Sequence, residues 1–112
     1  CALDVLTTVV SRPTDTRAVL DAGSKALSSD LLGLEGHGHI REYPGAIIRS
    51  LSEEHAVVDL SACTGAKPAV GELVRVVPNH ACVVSNLFNT VHGVTDSHVE
   101  RVFTVEARGL MQ

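Results

Sequence analysis

Apolar residues in this chain gather in short clusters rich in Val, Leu, Ile and Thr, separated by Gly, Pro, Asn, Asp or Ser. That punctuation predicts strands over Ala2–Ser11, Arg17–Asp21, Tyr43–Arg49, His55–Leu60, Leu73–Pro78 with a continuation beyond it, and Thr90–Val94. A seventh is predicted over Val99–Glu106, where the apolar side chains partly follow a period of two, as one wet and one dry face require. Helical signals are thin. Ser24–Leu32 predicts a turn or two and Ser52-Glu53-Glu54 a single turn, but neither sustains a 3.6-residue stripe. The stretch from Gly33 to Gly45, with Gly33-Leu34-Glu35-Gly36-His37-Gly38-His39 at its head, predicts a loop. No internal repeat interrupts the pattern, so the expected architecture is mainly β, a small barrel or sandwich with one or two short helices.

Composition narrows this picture. At 112 residues the chain can bury one core, so a single domain over 1–112 is expected. Hydrophobic residues at 45% against 20% charged exclude a disordered tail. With only Tyr43, Phe88 and Phe103 as aromatics, the core must be aliphatic, which suits strands. A net charge of −4 offers no basic surface to a phosphate backbone, which argues against nucleic acid as a partner. No apolar run reaches the roughly 20 residues of a membrane span and no signal-peptide pattern is visible, so no membrane association and a cytoplasmic location are expected. Cys1, Cys63 and Cys82 are odd in number and irregularly spaced, and read as thiols. The chain opens on Cys1-Ala2-Leu3 inside an apolar run without an initiator Met, the pattern of a fragment. A strand lost from that end would leave an unpaired sheet edge, through which a homodimer is expected.

The sharpest chemical signal is Val76-Val77-Pro78-Asn79-His80-Ala81-Cys82. If this segment stays extended, His80 and Cys82 project from one face, about 6–7 Å apart at the α-carbon. An imidazole and a thiolate at that spacing can converge on zinc, with the other coordination positions left open for a substrate. On a strand such a pair is more often a buried thiol beside a hydrogen-bonded imidazole, in which case the chain is a small β-barrel binding module without catalysis.

Gly71-Glu72-Leu73-Val74-Arg75-Val76-Val77-Pro78-Asn79-His80-Ala81-Cys82 followed by Asn86-Leu87-Phe88 resembles the metal-binding signature of the D-serine dehydratase/D-threonine aldolase family. Thr8–Pro13, Leu20–Asp30, Gly36-His37-Gly38, Leu51–His55 and Ala107-Arg108-Gly109 resemble further landmarks of that family, so the likeness spans nearly the whole chain. Val83 departs from it, standing where members often have proline. The resemblance implies the C-terminal β domain of an alanine-racemase-like enzyme whose missing N-terminal α/β barrel holds pyridoxal phosphate on a lysine. It also implies His80 and Cys82 as metal ligands, zinc or another divalent metal as the ion, and a D-amino acid as substrate. The implied activity is that of a lyase, D-serine dehydratase with D-threonine aldolase as the alternative, and Cys82, as a soft donor, points to the zinc dehydratases. By the same token the fragment alone is expected to be inactive.

Other residues carry weaker signals. His37 and His39 repeat the i, i+2 spacing in the Gly-rich loop, either as a second metal pair or as solvated side chains. Asp21 in Asp21-Ala22-Gly23-Ser24-Lys25 reads as a capping turn residue, or by fold analogy as one that approaches a neighbouring active site. Nothing around Lys25 forms a phosphate cradle. Cys63 reads as a thiol at a turn, and His55, His92 and His98 as surface or locally bonded side chains.

Overall fold

A computed structural model describes residues 1–110. Its strands are β1 (Val5–Thr14), β2 (Arg17–Leu20), β3 (His39–Ile40), β4 (Ile47–Leu51), β5 (Ala56–Asp59), β6 (Leu73–Val77), β7 (Thr90–Thr95) and β8 (His98–Thr104). Two short helices, α1 (Ser24–Leu27) and α2 (Ala81–Ser85), follow β2 and β6. Strands β3-β6-β1-β2-β5-β4 form one antiparallel sheet, and β7-β8 form a separate hairpin.

Alternation explains the core. Val5, Thr7 and Val9 of β1, Ala18 and Leu20 of β2, Ala56 and Val58 of β5, and Val74 and Val76 of β6 all turn inward. Register stacks them in rows. Val76 lies opposite both Val5 and Ile40, and Val58 opposite both Ala18 and Ile48. Leu27 of α1 and Val84 of α2 are fully buried and plug the interior. Each fully buried aliphatic side chain of this kind contributes roughly 1.5–3 kcal/mol.

The sheet curls until its two edges meet, β3 lying against β4. Between them the His37 N–H donates to the Ile48 carbonyl at 3.1 Å, a hydrogen bond that bridges the seam. The glycines on either side of His37 allow this approach. A Cβ on Gly36 would stand 3.1 Å from Ile47 Cγ2, and one on Gly38, at φ +134°, would stand 2.8 Å from Val76 Cγ1.

Several expectations change. β1 runs from Val5 to Thr14 rather than from Ala2 to Ser11, with bulges in its pairing near Pro13, and β4 begins at Ile47 because Tyr43–Ala46 closes a turn. The predicted loop from Gly33 to Gly45 contains β3, whose two residues pair with Val76 and Val77. Helix over Ser24–Leu32 stops at Leu27, since Ser28 has φ 58° and leaves the helical region. Ser52–Glu54 is no helix but a tight turn, in which the Ser52 N–H donates to the His55 carbonyl. β1 pairs with β6 over Val5–Thr8 and with β2 over Val9–Thr14, so among the described residues its N-terminal half has a strand partner on one side only. The hairpin turns at Asp96-Ser97, both at positive φ as a two-residue hairpin turn requires. Every residue of β8 is exposed, so its alternation does not produce a dry face.

Candidate functional site

β6 leaves the barrel at Val77, and the buried Pro78 ends the strand. His80 then adopts an extended conformation, φ −129° and ψ 93°, as the residue that precedes α2, while Cys82 lies within the helix. The expectation that the two project from one face of a strand is therefore corrected. A single helical turn intervenes, fastened by the Val84 N–H donating to the His80 carbonyl at 3.2 Å and by burial of Val84 itself. Cys82 is an exposed free thiol and His80 is partly exposed.

A loop from the other side of the barrel meets this segment. His80 Nδ1 lies 2.7 Å from Asp30 Oδ2, and the second oxygen of Asp30 accepts the Leu32 N–H at 2.9 Å. These contacts hold the Asp30 carboxyl below its ordinary range, the His80 hydrogen bond having the largest effect and the Leu32 N–H the next. Asn79, directly before His80, donates its side-chain amide to the carbonyls of Asp30 and Leu31 at 3.3 Å each and of Gly36 at 2.9 Å. Asp30 and Asn79 lie in stretches that resemble the family's landmarks, but no spacing along the chain gives either a role, and only the fold brings Asp30 to His80.

The donor set suits a borderline-soft divalent ion, because Asp30 occupies Nδ1 of His80 and leaves Nε2 for a metal, with a free thiol two residues on. Among the described residues no three or more His, Cys, Asp or Glu side chains converge as a ligand set, so His80 and Cys82 would share any ion with ligands from elsewhere.

The weaker candidates separate from this site. His39 is exposed on β3, and His37 serves the seam through its backbone, its Nδ1 being buried without a partner among the described residues. Asp21 is not a helix cap, for Gly23 precedes α1 without a side-chain cap. Its carboxylate instead accepts from Thr7 Oγ1 at 2.6 Å and the Thr8 N–H at 2.7 Å, tying the end of β2 to β1. The Thr7 hydroxyl, followed by the Thr8 N–H, lowers its pKa. Lys25 lies on the surface between Glu53 and Glu54, at 3.2 and 2.5 Å, and the described residues around it make no pyridoxal phosphate site. Cys63 is half-buried, His55 and His92 are exposed, and His98 bonds locally to the Asp96 carbonyl. No helix among the described residues is long and apolar enough to cross a membrane.

The family described as "Putative serine dehydratase domain" matches residues 2–94. An uncharacterized protein of Mycobacterium tuberculosis is 41% identical over 114 residues, covering 96% of this chain and 84% of that protein. The structure of D-threonine aldolase from Filomicrobium marinum superposes with a TM-score of 0.83 at 30% identity, over 97% of this chain and 29% of that one. D-threo-3-hydroxyaspartate dehydratase of Delftia sp. is 31% identical over 105 residues, 78% of this chain and 27% of that protein. Its structure superposes with a TM-score of 0.77 at 24% identity, over 92% of this chain and 31% of that one. The chain thus spans most of the mycobacterial relative but under a third of the aldolase and the dehydratase.

Proposed function

Since the chain belongs to the serine dehydratase domain family, we propose that it is the metal-holding C-terminal β domain of a pyridoxal phosphate-dependent lyase acting on D-serine or a similar D-β-hydroxy amino acid. The observation that carries this reading is the pairing of Asp30 with Nδ1 of His80, which leaves Nε2 free beside the exposed thiol of Cys82. A histidine and a cysteine make a zinc-preferring pair, and an ion with only two protein donors keeps positions open for substrate oxygen. Support also comes from the Delftia dehydratase, one form of which, with a cysteine replaced by alanine, is described as metal-free, and another form of which replaces a histidine two positions earlier.

When bound, the ion would act as a Lewis acid on the β-hydroxyl of the substrate. His80 and Cys82 would hold the ion, α2 presents the thiol at the surface, and Asn79 fixes the adjoining loop. Because the surroundings of Lys25 do not fit pyridoxal phosphate, that cofactor would be held by an N-terminal barrel domain of the same protein. The isolated domain is then inactive.

Assays of the protein that carries both halves test the reading. Zinc-dependent release of pyruvate from D-serine, lost in His80→Ala and Cys82→Ala, is the expected result. Unchanged zinc content in His80→Ala would remove the ligand assignment. The aldolase reading is favoured by the 30% identity and close superposition with the Filomicrobium enzyme, and an aldehyde product from D-threonine without pyruvate from D-serine would select it.

A further inference from the structure

We propose that Asp30 is a positioning residue for His80, holding the ring so that Nδ1–H points to the carboxylate and a deprotonated Nε2 is presented to a divalent cation. The inference rests on the reading of His80 and Cys82 as ligands given above. A neutral imidazole has one N–H and one lone pair, and only the lone-pair nitrogen can bind a metal. An ionised carboxylate only accepts hydrogen bonds, so the 2.7 Å contact from Asp30 Oδ2 to Nδ1 requires the proton on Nδ1. Such a carboxylate behind a metal-bound histidine fixes both tautomer and orientation.

Asp30 is itself held on every polar group. Its N–H donates to Ser28 Oγ at 3.2 Å, its carbonyl accepts from Asn79 Nδ2 at 3.3 Å, and its Oδ1 accepts the Leu32 N–H at 2.9 Å. The backbone on either side takes positive φ, 58° at Ser28 and 49° at Leu32. Conformations of this kind are costly for non-glycine residues and persist where the surroundings dictate them. Fastening the loop does not by itself call for the Asp30–His80 hydrogen bond, because Asn79 already ties three of the loop's carbonyls to the segment that carries His80. Asp30, His80 and Cys82 do not converge as a ligand set, so Asp30 acts through the histidine and not on the ion.

Two readouts on the full chain test this: the ¹⁵N chemical shifts of the His80 ring without metal, at about pH 9, well above the ordinary imidazole pKa of about 6.5, and Zn²⁺ affinity by chelator competition. The wild type is expected to show the Nδ1–H tautomer. Asp30→Asn, whose amide can still accept the Leu32 N–H while donating to Nδ1, is expected to keep the fold, shift His80 to the Nε2–H tautomer and weaken Zn²⁺ binding about 10- to 100-fold. Asp30→Ala is expected to do the same, and if it unfolds, Asp30→Asn decides. An Nε2–H tautomer in the wild type overturns the inference. So does Zn²⁺ binding that His80→Ala abolishes but Asp30→Asn leaves unchanged, and that result leaves the ligand reading standing. Wild-type Zn²⁺ binding no tighter than that of His80→Ala overturns the ligand reading, and the inference with it.

Discussion

Asn79 donates its side-chain amide to the carbonyl of Gly36, 2.9 Å away and 43 residues earlier in the chain. One bond thereby joins the residue before His80 to the glycine before His37, at the point where the barrel closes. Asn79→Ala removes this bond and the two longer ones to Asp30 and Leu31. Removing them should destabilise the fold by about 1–2 kcal/mol. Urea unfolding of the chain measures it, and a change under about 0.5 kcal/mol, the lower bound for a single net hydrogen bond, would show that the clamp is not a strut.

Closure of the seam depends on the missing side chain at Gly38. Gly38→Ala would place a Cβ 2.8 Å from Val76 Cγ1 and 3.0 Å from the Val77 carbonyl oxygen, at a positive φ. Gly65→Ala shares the positive φ but meets nothing within 4 Å. Both should lose the roughly 1–2 kcal/mol of left-handed backbone cost, and thermal denaturation should show the larger loss at Gly38. Equal losses would mean that packing at the seam contributes little.

Tyr43, the sole tyrosine, donates its hydroxyl to Glu72 Oε1 at 2.6 Å. That hydrogen bond first, and burial second, push its pKa up to about 12. The folded state thus prefers the protonated phenol, so this contribution to stability is complete below about pH 10, and is lost as pH rises towards about 12. Ultraviolet titration of the folded chain should give a phenolate midpoint well above 10, falling towards 10 in Glu72→Gln. A wild-type midpoint at 10 would show that the hydrogen bond does not persist in solution.

The β7-β8 hairpin contributes no residue to the buried core. Its local opening should therefore cost far less than opening of β1 or β6, whose inward residues are fully enclosed. Hydrogen–deuterium exchange is expected to label Thr90–Thr104 well before Val5–Val9 and Val74–Val76. Comparable protection would place the hairpin in the same cooperative unit as the barrel.

The sequence by itself determined the β character, the approximate places of seven strands and the aliphatic core, because alternation along a strand is local and each inward Val, Leu or Ile marks its own face. It also carried the family, through residues close together around Pro78, and singled out His80 and Cys82. Tertiary structure alone decided the rest. β3 is only two residues long and exists because Val76 and Val77 offer it a partner. Helix α2 was concealed because Val83 and Val84 read as strand formers, yet Pro78 ends the ladder and burial of Val84 favours a turn of helix. The exposed β8 shows the converse, since its period of two marks faces that nothing among the described residues covers. The pairing of Asp30 with His80 spans 50 residues, and its existence depends on closure of the sheet rather than on any spacing along the chain. Local patterns specify which way a side chain points, whereas the partner that it meets is set by the long-range register of strands.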